Sequence, residues 1–354
     1  MYQNIAYHKK TGTMHVWDDE LGHQTFQFKP YGYIKDPIGE YQSLNGIKLS
    51  KTPGNHRDNS NAYESDLNEE VRTLVDLYYE SDLVSTNHSD FFFDIETAKD
   101  ENGYSTPEDV RTEITSIAYY DKVGKDRRVL VLDKENRLPD DTIYGDNYTV
   151  EVFDNEANLL IKFINYFSEI QPTVITGWNT DGYDIPYLIN RIKKVLGPKS
   201  ANKLSPVGIV EWNKHRERYK IFGVSSLDYI KLYKNFTYSE LNELFATDIH
   251  KFIEYNMTDV DLVFELDEKL QLINLARTIC HKGHVPYEDV YYASKYLDGA
   301  AIVDLKRNGF VAPNKQFRFI EEDRQDALAG AYVMPPIPGL YKWIYDLDLT
   351  SLYP

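Results

Sequence analysis

The sequence has 354 residues, room for two or three domains, and 42% of them are hydrophobic, enough to fill real cores. Its net charge of −17 excludes whole-surface attraction to a polyanion, so any nucleic-acid contact must rest on locally placed Lys and Arg. No apolar run approaches the length of a membrane span, no apolar segment follows Met1 as a signal peptide requires, and Cys280, the sole cysteine, has no internal disulfide partner; these features fit a reducing cytoplasm.

The first part, to about Ser89, mixes short alternating runs with turn residues. His15–Trp17 and Thr25–Phe28 read as strands around a Leu21-Gly22 turn, and Thr52–Asn61 is polar and Gly/Pro-bearing, hence a loop. Glu69–Tyr79 places Val71, Leu74, Val75 and Tyr78 at helical spacing. From Phe91 the pattern changes. A strand over Phe91–Ile95 is followed by a loop with Gly103 and Pro107, then by strands Ile114–Tyr120 and Arg128–Leu132. Asn155–Ile170 reads as a helix with Leu159, Leu160, Phe163, Ile164 and Phe167 inward, Thr173–Thr176 as a β-branched strand, and Ile185–Leu196 as a helix with Pro186 in its first turn. A long helix is expected over Ile249–Leu272. Strands followed by helix–strand–helix alternation predict an α/β fold, a mixed sheet with helices on both faces. Beyond Ile273, Val285–Leu305 reads as helical, Asn308-Gly309 as a turn, Glu321–Asp323 as an acidic loop, Gly330–Pro338 as a Gly/Pro-rich segment and Tyr341–Leu349 as a strand.

Three contexts concentrate chemistry. Asp94 and Glu96 end the Phe91–Phe93 run. Residues two apart on a strand point the same way, so both can face one site; the alternative is a strand end emerging into solvent. Buried there, two carboxylates need a cation or donors to offset their desolvation. Asp184 follows the turn-rich Gly177–Tyr183. It can cap the next helix, ligate a metal, or do both, since a helix start fixes a carboxylate's direction. Tyr255 and Asp259 are four apart on the long helix and share a face with Phe252 and Val263, so Tyr255 fits packing or a hydrogen bond to an attacking water. Hard oxygen ligands of this kind suit Mg2+, with Mn2+ as a substitute, and two such ions can stabilise both the attacking and leaving oxygens of a phosphodiester. Residues 191–220 hold Arg191, Lys193, Lys194, Lys199, Lys203, Lys214, Arg216, Arg218 and Lys220 against Glu211 and Glu217, a net +7, and are either a solvated face or a phosphate contact. Cys280, His281 and His284 lack the second cysteine and the spacing of a zinc finger. Some of the 29 tyrosines are candidate stacking platforms for a single-stranded end.

Taken together, Phe93-Asp94-Ile95-Glu96-Thr97, Asn179…Tyr183-Asp184 and Tyr255…Asp259 resemble the three exonuclease motifs of family B DNA polymerases, in their proofreading form with a tyrosine in the third. Tyr183–Lys193, Leu204-Ser205-Pro206 and Ile221–Tyr229 resemble the large tailed-bacteriophage branch. Gly330-Ala331-Tyr332-Val333 is similar to the linker between exonuclease and palm, and Asp348–Pro354 to polymerase motif A.

The resemblance implies a ribonuclease H-like exonuclease domain over residues 91–272. It is inserted in a mixed N-terminal domain (residues 1–90, with a return segment at 273–322), and the palm begins over 323–354. It implies Asp94, Glu96, Asp184 and Asp259 as ligands of two Mg2+ ions, with Tyr255 aligning the water. Tyr183, Arg191 and Lys193 become expected DNA contacts, and Asn179 either a DNA contact or a loop-organising side chain. Asp348 would be a polymerase metal ligand in a nucleotide site with Leu349, Ser351, Leu352 and Tyr353, the last excluding a ribose 2′-hydroxyl. The implied partners are a primer-template with its single-stranded 3′ end, replisome components, and a second fragment with the remaining palm, fingers and thumb. That fragment is expected because the sequence holds neither a Lys-x-x-x-Asn-Ser-x-Tyr-Gly run nor an Asp-Thr-Asp. Asn235–Leu244 joins segments that relatives separate by an additional stretch. A stand-alone exonuclease, or a nucleic-acid-binding or regulatory module without turnover, are the alternatives.

Overall fold

The computed structural model describes residues 1–138, 143–144, 147–233, 248–315 and 339. Met1–Asn314 form one compact unit and Lys315–Pro354 a second. The expected acidic loop, linker and last strand, the motif from Asp348 to Pro354 and the shortened Asn235–Leu244 segment lie outside the described residues.

Asp90–Thr97 lies inside a seven-stranded mixed sheet. The strand order is Ile143–Tyr144, Tyr148–Phe153, Asp126–Leu132, Ile114–Asp121, Asp90–Thr97, Val174–Gly177, Ser225–Asp228. Ile114–Asp121 runs antiparallel to both its neighbours, while Val174–Gly177 runs parallel to Asp90–Thr97 and to Ser225–Asp228. The unbroken Phe91–Phe93 run follows from burial on both sheet faces, which removes the usual alternation. Phe91, Phe93 and Ile95 pack with Leu159, Leu160, Phe163 and Phe167 of the Glu156–Ile170 helix and with Ile185 and Leu188 of the Asp184–Leu196 helix. Phe92 points the other way, into a core shared with Ile253, Met257 and Val260 of the Ile249–Leu270 helix. The architecture is mixed α/β with helices on both faces of this sheet.

The second core continues through Tyr2, Ile5, Met14 and Val16 of a three-stranded antiparallel sheet built from Tyr2–His8, Thr13–Asp18 and Gly22–Gln27. A five-stranded sheet runs in the order Phe310–Val311, Tyr41–Ser43, Lys48–Pro53, Tyr31–Lys35, Ala62–Tyr63. Residues 310–311 thus join strands from the start of the chain, and the Ala293–Arg307 helix packs Ile302 and Val303 on Val75 of the Glu69–Tyr78 helix.

Two expected elements differ, and one strand was not foreseen. The long helix ends at Leu270, because Gln271 turns left-handed (φ 55°) and a new helix starts at Leu272; the buried Asp267 fixes this corner by accepting the Ile273 N–H at 3.1 Å. Val285–Leu305 is not one helix. Pro286 forces Val285 out of helical geometry, and a 3-10 turn over Tyr287–Tyr291 buries Tyr287 before Ala293–Arg307 begins. Tyr2–His8, unmarked by clear alternation, is a strand with Asn4 buried and donating to Ser225 Oγ at 2.9 Å. Cys280 is buried and bonds the Tyr287 carbonyl; His281 bonds Ser85 and Tyr287, and His284 the Tyr78 carbonyl, so these three side chains serve packing. Among the described residues no helix is long and apolar enough to cross a membrane.

Candidate active site

Asp94 and Glu96 share the face of Phe92, which is covered by the Ile249–Leu270 helix. That helix presents Asp259 to them, and each of the three residues offers a carboxylate oxygen lying within 4.8 Å of the others. Two carboxylates from one strand and one from a helix more than a hundred and fifty residues later in the chain therefore meet at one point.

The fourth acid arrives from the other side of the strand. Val174–Gly177 pairs with Asp90–Thr97 only as far as Thr176 opposite Phe92. Past that point the Ile95 N–H donates instead to Asp184 Oδ1 at 3.2 Å. Glycine is required at 177, since a Cβ there would stand 2.3 Å from the Phe93 carbonyl oxygen. The connecting turn is held by the buried Asp228, whose carboxylate accepts the N–H groups of Asn179 (3.0 Å) and Asp181 (3.2 Å). Asn179 sits at φ 63°, and its carbonyl accepts from Gly182 and Tyr183 at 3.0 Å each. Asp184 is not the helix cap: Tyr183 holds that position without a side-chain bond, and Asp184 is the first helical residue.

The electrostatics follow from this crowding. Burial pushes the Asp94 carboxyl well up, as do Asp184, Glu96 and Asp259, against the hydrogen bond from Asn256. Glu96 is pushed up to about 8 by burial, then Asp259 and Asp184. Asp184 reaches about 7 through burial, partly offset by backbone N–H groups, with Asp228 and Asp259 adding to the rise. Burial also raises Asp259, while a hydrogen bond from Tyr255 lowers it. Four acids so placed resist simultaneous ionisation unless positive charge joins them. An all-oxygen donor set of this kind fits a hard divalent cation.

Two contributors carry no motif signal. Asn256 and Ser116 are fully buried; Ser116 Oγ donates to Asn256 Oδ1 at 2.6 Å, and Asn256 Nδ2 donates to Asp94 Oδ2 at 2.6 Å. The available hint was an asparagine on the inner face of an amphipathic helix, three residues before Asp259.

The expected nucleic-acid contacts divide. Asn179 is exposed on the turn, and Tyr183 is half-buried with its hydroxyl 2.9 Å from Thr97 Oγ1. Lys193 is half-buried, its ammonium 3.0 Å from the Tyr219 hydroxyl and 4.3 Å from that ring's centre. Arg191 is a correction. It is buried, forks onto Glu156 at 2.8 and 2.6 Å and donates to the Val110 carbonyl at 2.9 Å, so its guanidinium serves the fold rather than a phosphate. Much of the basic stretch is likewise neutralised from elsewhere in the chain: Arg216 pairs with Asp289, Arg218 with Asp181 at 3.3 Å, and Lys220 with Glu70. Asp348, Leu349, Ser351, Leu352 and Tyr353 lie outside the described residues.

Comparison with known proteins agrees with this geometry. The sequence profile of the DNA polymerase family B exonuclease domain matches residues 48–244. The DNA-directed DNA polymerase of Escherichia phage RB69 is 31% identical over an alignment covering 74% of this chain and 34% of that protein. That of Enterobacteria phage T4 is 30% identical, with the same two coverages. A DNA polymerase of Pyrococcus glycovorans is 25% identical, over 74% of this chain and 35% of its own length. The chain spans about a third of the length of these relatives.

Proposed function

This chain belongs to DNA polymerase family B and carries its exonuclease domain, and from that premise we propose that it is the 3′→5′ proofreading part of a replicative polymerase. It removes mismatched nucleotides one at a time from the 3′ end of DNA. The observation that carries the reading is the convergence of the Asp94, Glu96 and Asp259 carboxylates within 4.8 Å, with Asp184 bound to the Ile95 N–H beside them.

In this reading residues 91–272 are a ribonuclease H-like domain inserted between N-terminal-domain segments 1–90 and 273–322, and the palm begins near 323. Asp94, Glu96, Asp184 and Asp259 hold two divalent cations, Mg2+ or Mn2+. When bound, these ions neutralise charge on the scissile phosphate and favour ionisation of water at neutral pH. The chain's own groups do the rest. Tyr255 holds its hydroxyl beside Asp259, where it orients the attacking water. The backbone N–H of Ile95 and the Asn256 amide keep Asp184 and Asp94 turned to the centre. Asn179 and Tyr183, on the turn that leads to Asp184, line the path of the unpaired 3′ end, and Lys193 contacts it from the later turns of the helix that Asp184 begins. Synthesis by the Asp348 motif requires a second part with the remaining palm, fingers and thumb, and with it a primer-template and the replisome.

The test is digestion of a labelled oligonucleotide with a mismatched 3′ end in Mg2+. The original chain releases mononucleotides, and Asp94→Ala abolishes release while its circular dichroism spectrum is unchanged. Digestion by the folded variant at the original rate would remove the assignment.

A further inference from the structure

The Ser116–Asn256–Asp94 chain of hydrogen bonds runs from the sheet through a helix to one of the four acids, and none of the motif residues accounts for it. Ser116 lies on the Ile114–Asp121 strand directly opposite Glu96, so it sits on the same face as the carboxylates but beneath them. Asn256 and Asp259 are three apart on the Ile249–Leu270 helix and therefore face the same strand pair. Both Ser116 and Asn256 are fully closed to solvent. A polar pair there is costly unless satisfied, and each member is satisfied by the next.

The direction of the relay is fixed by what stands at its end. As an ionised cation ligand Asp94 only accepts, so the amide turns Nδ2 toward it and Oδ1 away. The Ser116 hydroxyl donates to that Oδ1 at 2.6 Å and holds the amide in this orientation; the opposite flip would set an amide oxygen against a carboxylate oxygen. Asn256 thus engages one Asp94 oxygen at 2.6 Å and leaves the other for a ligand.

We propose that Asn256 and Ser116 are positioning residues for the metal centre. Asn256 orients Asp94, and Ser116 sets the flip of Asn256. The inference rests on the proposed function above, because it assumes that Asp94 is a cation ligand. Partners behind a metal ligand typically change metal affinity by about 10–100-fold when removed. Asn256→Ala weakens the site by that factor. Ser116→Ala, which removes one oxygen and leaves the helix contact intact, weakens it severalfold by freeing the amide to flip.

Mn2+ affinity, measured by electron paramagnetic resonance titration on the wild-type chain, Asn256→Ala and Ser116→Ala, separates the possible outcomes. Oligonucleotide digestion is followed in parallel as Mn2+ is raised. The expected result is weaker Mn2+ binding in both variants, with digestion recovering toward the wild-type rate at saturating Mn2+ and KM for the oligonucleotide unchanged. A lowered melting temperature with unchanged Mn2+ affinity in the variants would reduce the relay to a structural role and overturn the proposal. Should Asn256→Ala fail to fold, Ser116→Ala alone decides in the same way. A wild-type chain that binds no Mn2+ overturns the proposed function itself, a result distinct from wild-type binding matched by the variants.

Discussion

Glu96→Gln should make the metal-free chain more stable, and increasingly so as the pH rises. The carboxyl titrates near 4.5 in an open chain and near 8 in the fold, because burial, Asp259 and Asp184 all oppose its charge. The folded state therefore binds this proton more tightly than the unfolded state, so the stability linked to it is whole below about 4.5 and is lost as the pH climbs through about 8. At about 1.4 kcal/mol per pH unit across that interval, keeping the side chain ionised costs at most about 4–5 kcal/mol. Asp94, Asp184 and Asp259 share the burden, so the single substitution recovers a part of it, about 2–3 kcal/mol, corresponding to about 5–10 °C in melting temperature. The amide keeps the side-chain volume and removes the charge. Scanning calorimetry in EDTA at pH 6 and pH 9 reads the effect: at pH 6, where only the unfolded wild-type carboxyl has ionised, the variant's advantage is less than half of that at pH 9, where the loss is complete. Adding Mn2+ near neutral pH should raise the wild-type transition more than that of the variant. An equal gap at both pH values, or a wild type that melts higher at pH 9 without metal, would refute the electrostatic reasoning for the whole cluster.

Gly177→Ala sets a Cβ against the Phe93 carbonyl at 2.3 Å, so strand and turn must part. We expect a loss of about 1–3 kcal/mol in a urea titration, together with weakened Mn2+ binding, because Asp184 depends on the same turn; wild-type values for both would show that the close approach is not required. Tyr255→Phe keeps the ring and removes only the hydroxyl that bonds Asp259. Losing a hydrogen bond to a charged group costs about 1.5–3 kcal/mol, so single-turnover digestion should slow by about 10–100-fold with unchanged oligonucleotide affinity. An unaltered rate would return Tyr255 to a packing role.

How much of this was legible in the sequence depends on whether a feature is carried by neighbours along the chain or by partners across it. The central strand could be read because three consecutive phenylalanines need apolar cover on both faces, and the structure supplies it from two separate cores. Tyr255 and Asp259 could be placed because helical spacing is local. Asp184 was left open between cap and ligand, because its direction is set by the Ile95 N–H, an atom freed only where a parallel neighbour strand stops. The basic stretch over 191–220 stayed open between a solvated face and a phosphate contact for the same reason. Its cations are visible in the sequence, whereas Glu156, Asp181, Glu70 and Asp289, which claim four of its arginines and lysines, are recruited by folding. Arg191, expected as a DNA contact, is half of a buried ion pair.

Asn256 shows the limit most sharply. Its local pattern offers only a polar residue on the inner face of an amphipathic helix, and its neighbour Tyr255 carries the motif. Its significance comes from facing Asp94 and Ser116, residues that precede it by 162 and 140 positions. Motif reading finds the groups that would touch ions or substrate, because their chemical type is constrained. It passes over those that aim them, because an amide, a hydroxyl or a backbone N–H can each do that work wherever the fold offers a donor. For this chain the aiming groups are three different kinds of donor on two strands and one helix: the Ile95 N–H, the Asn256 amide and, behind it, the Ser116 hydroxyl. Loss of any one of them should therefore appear first in metal affinity and only afterwards in the chemical step, an order that titration and single-turnover measurements on the same variant can read directly.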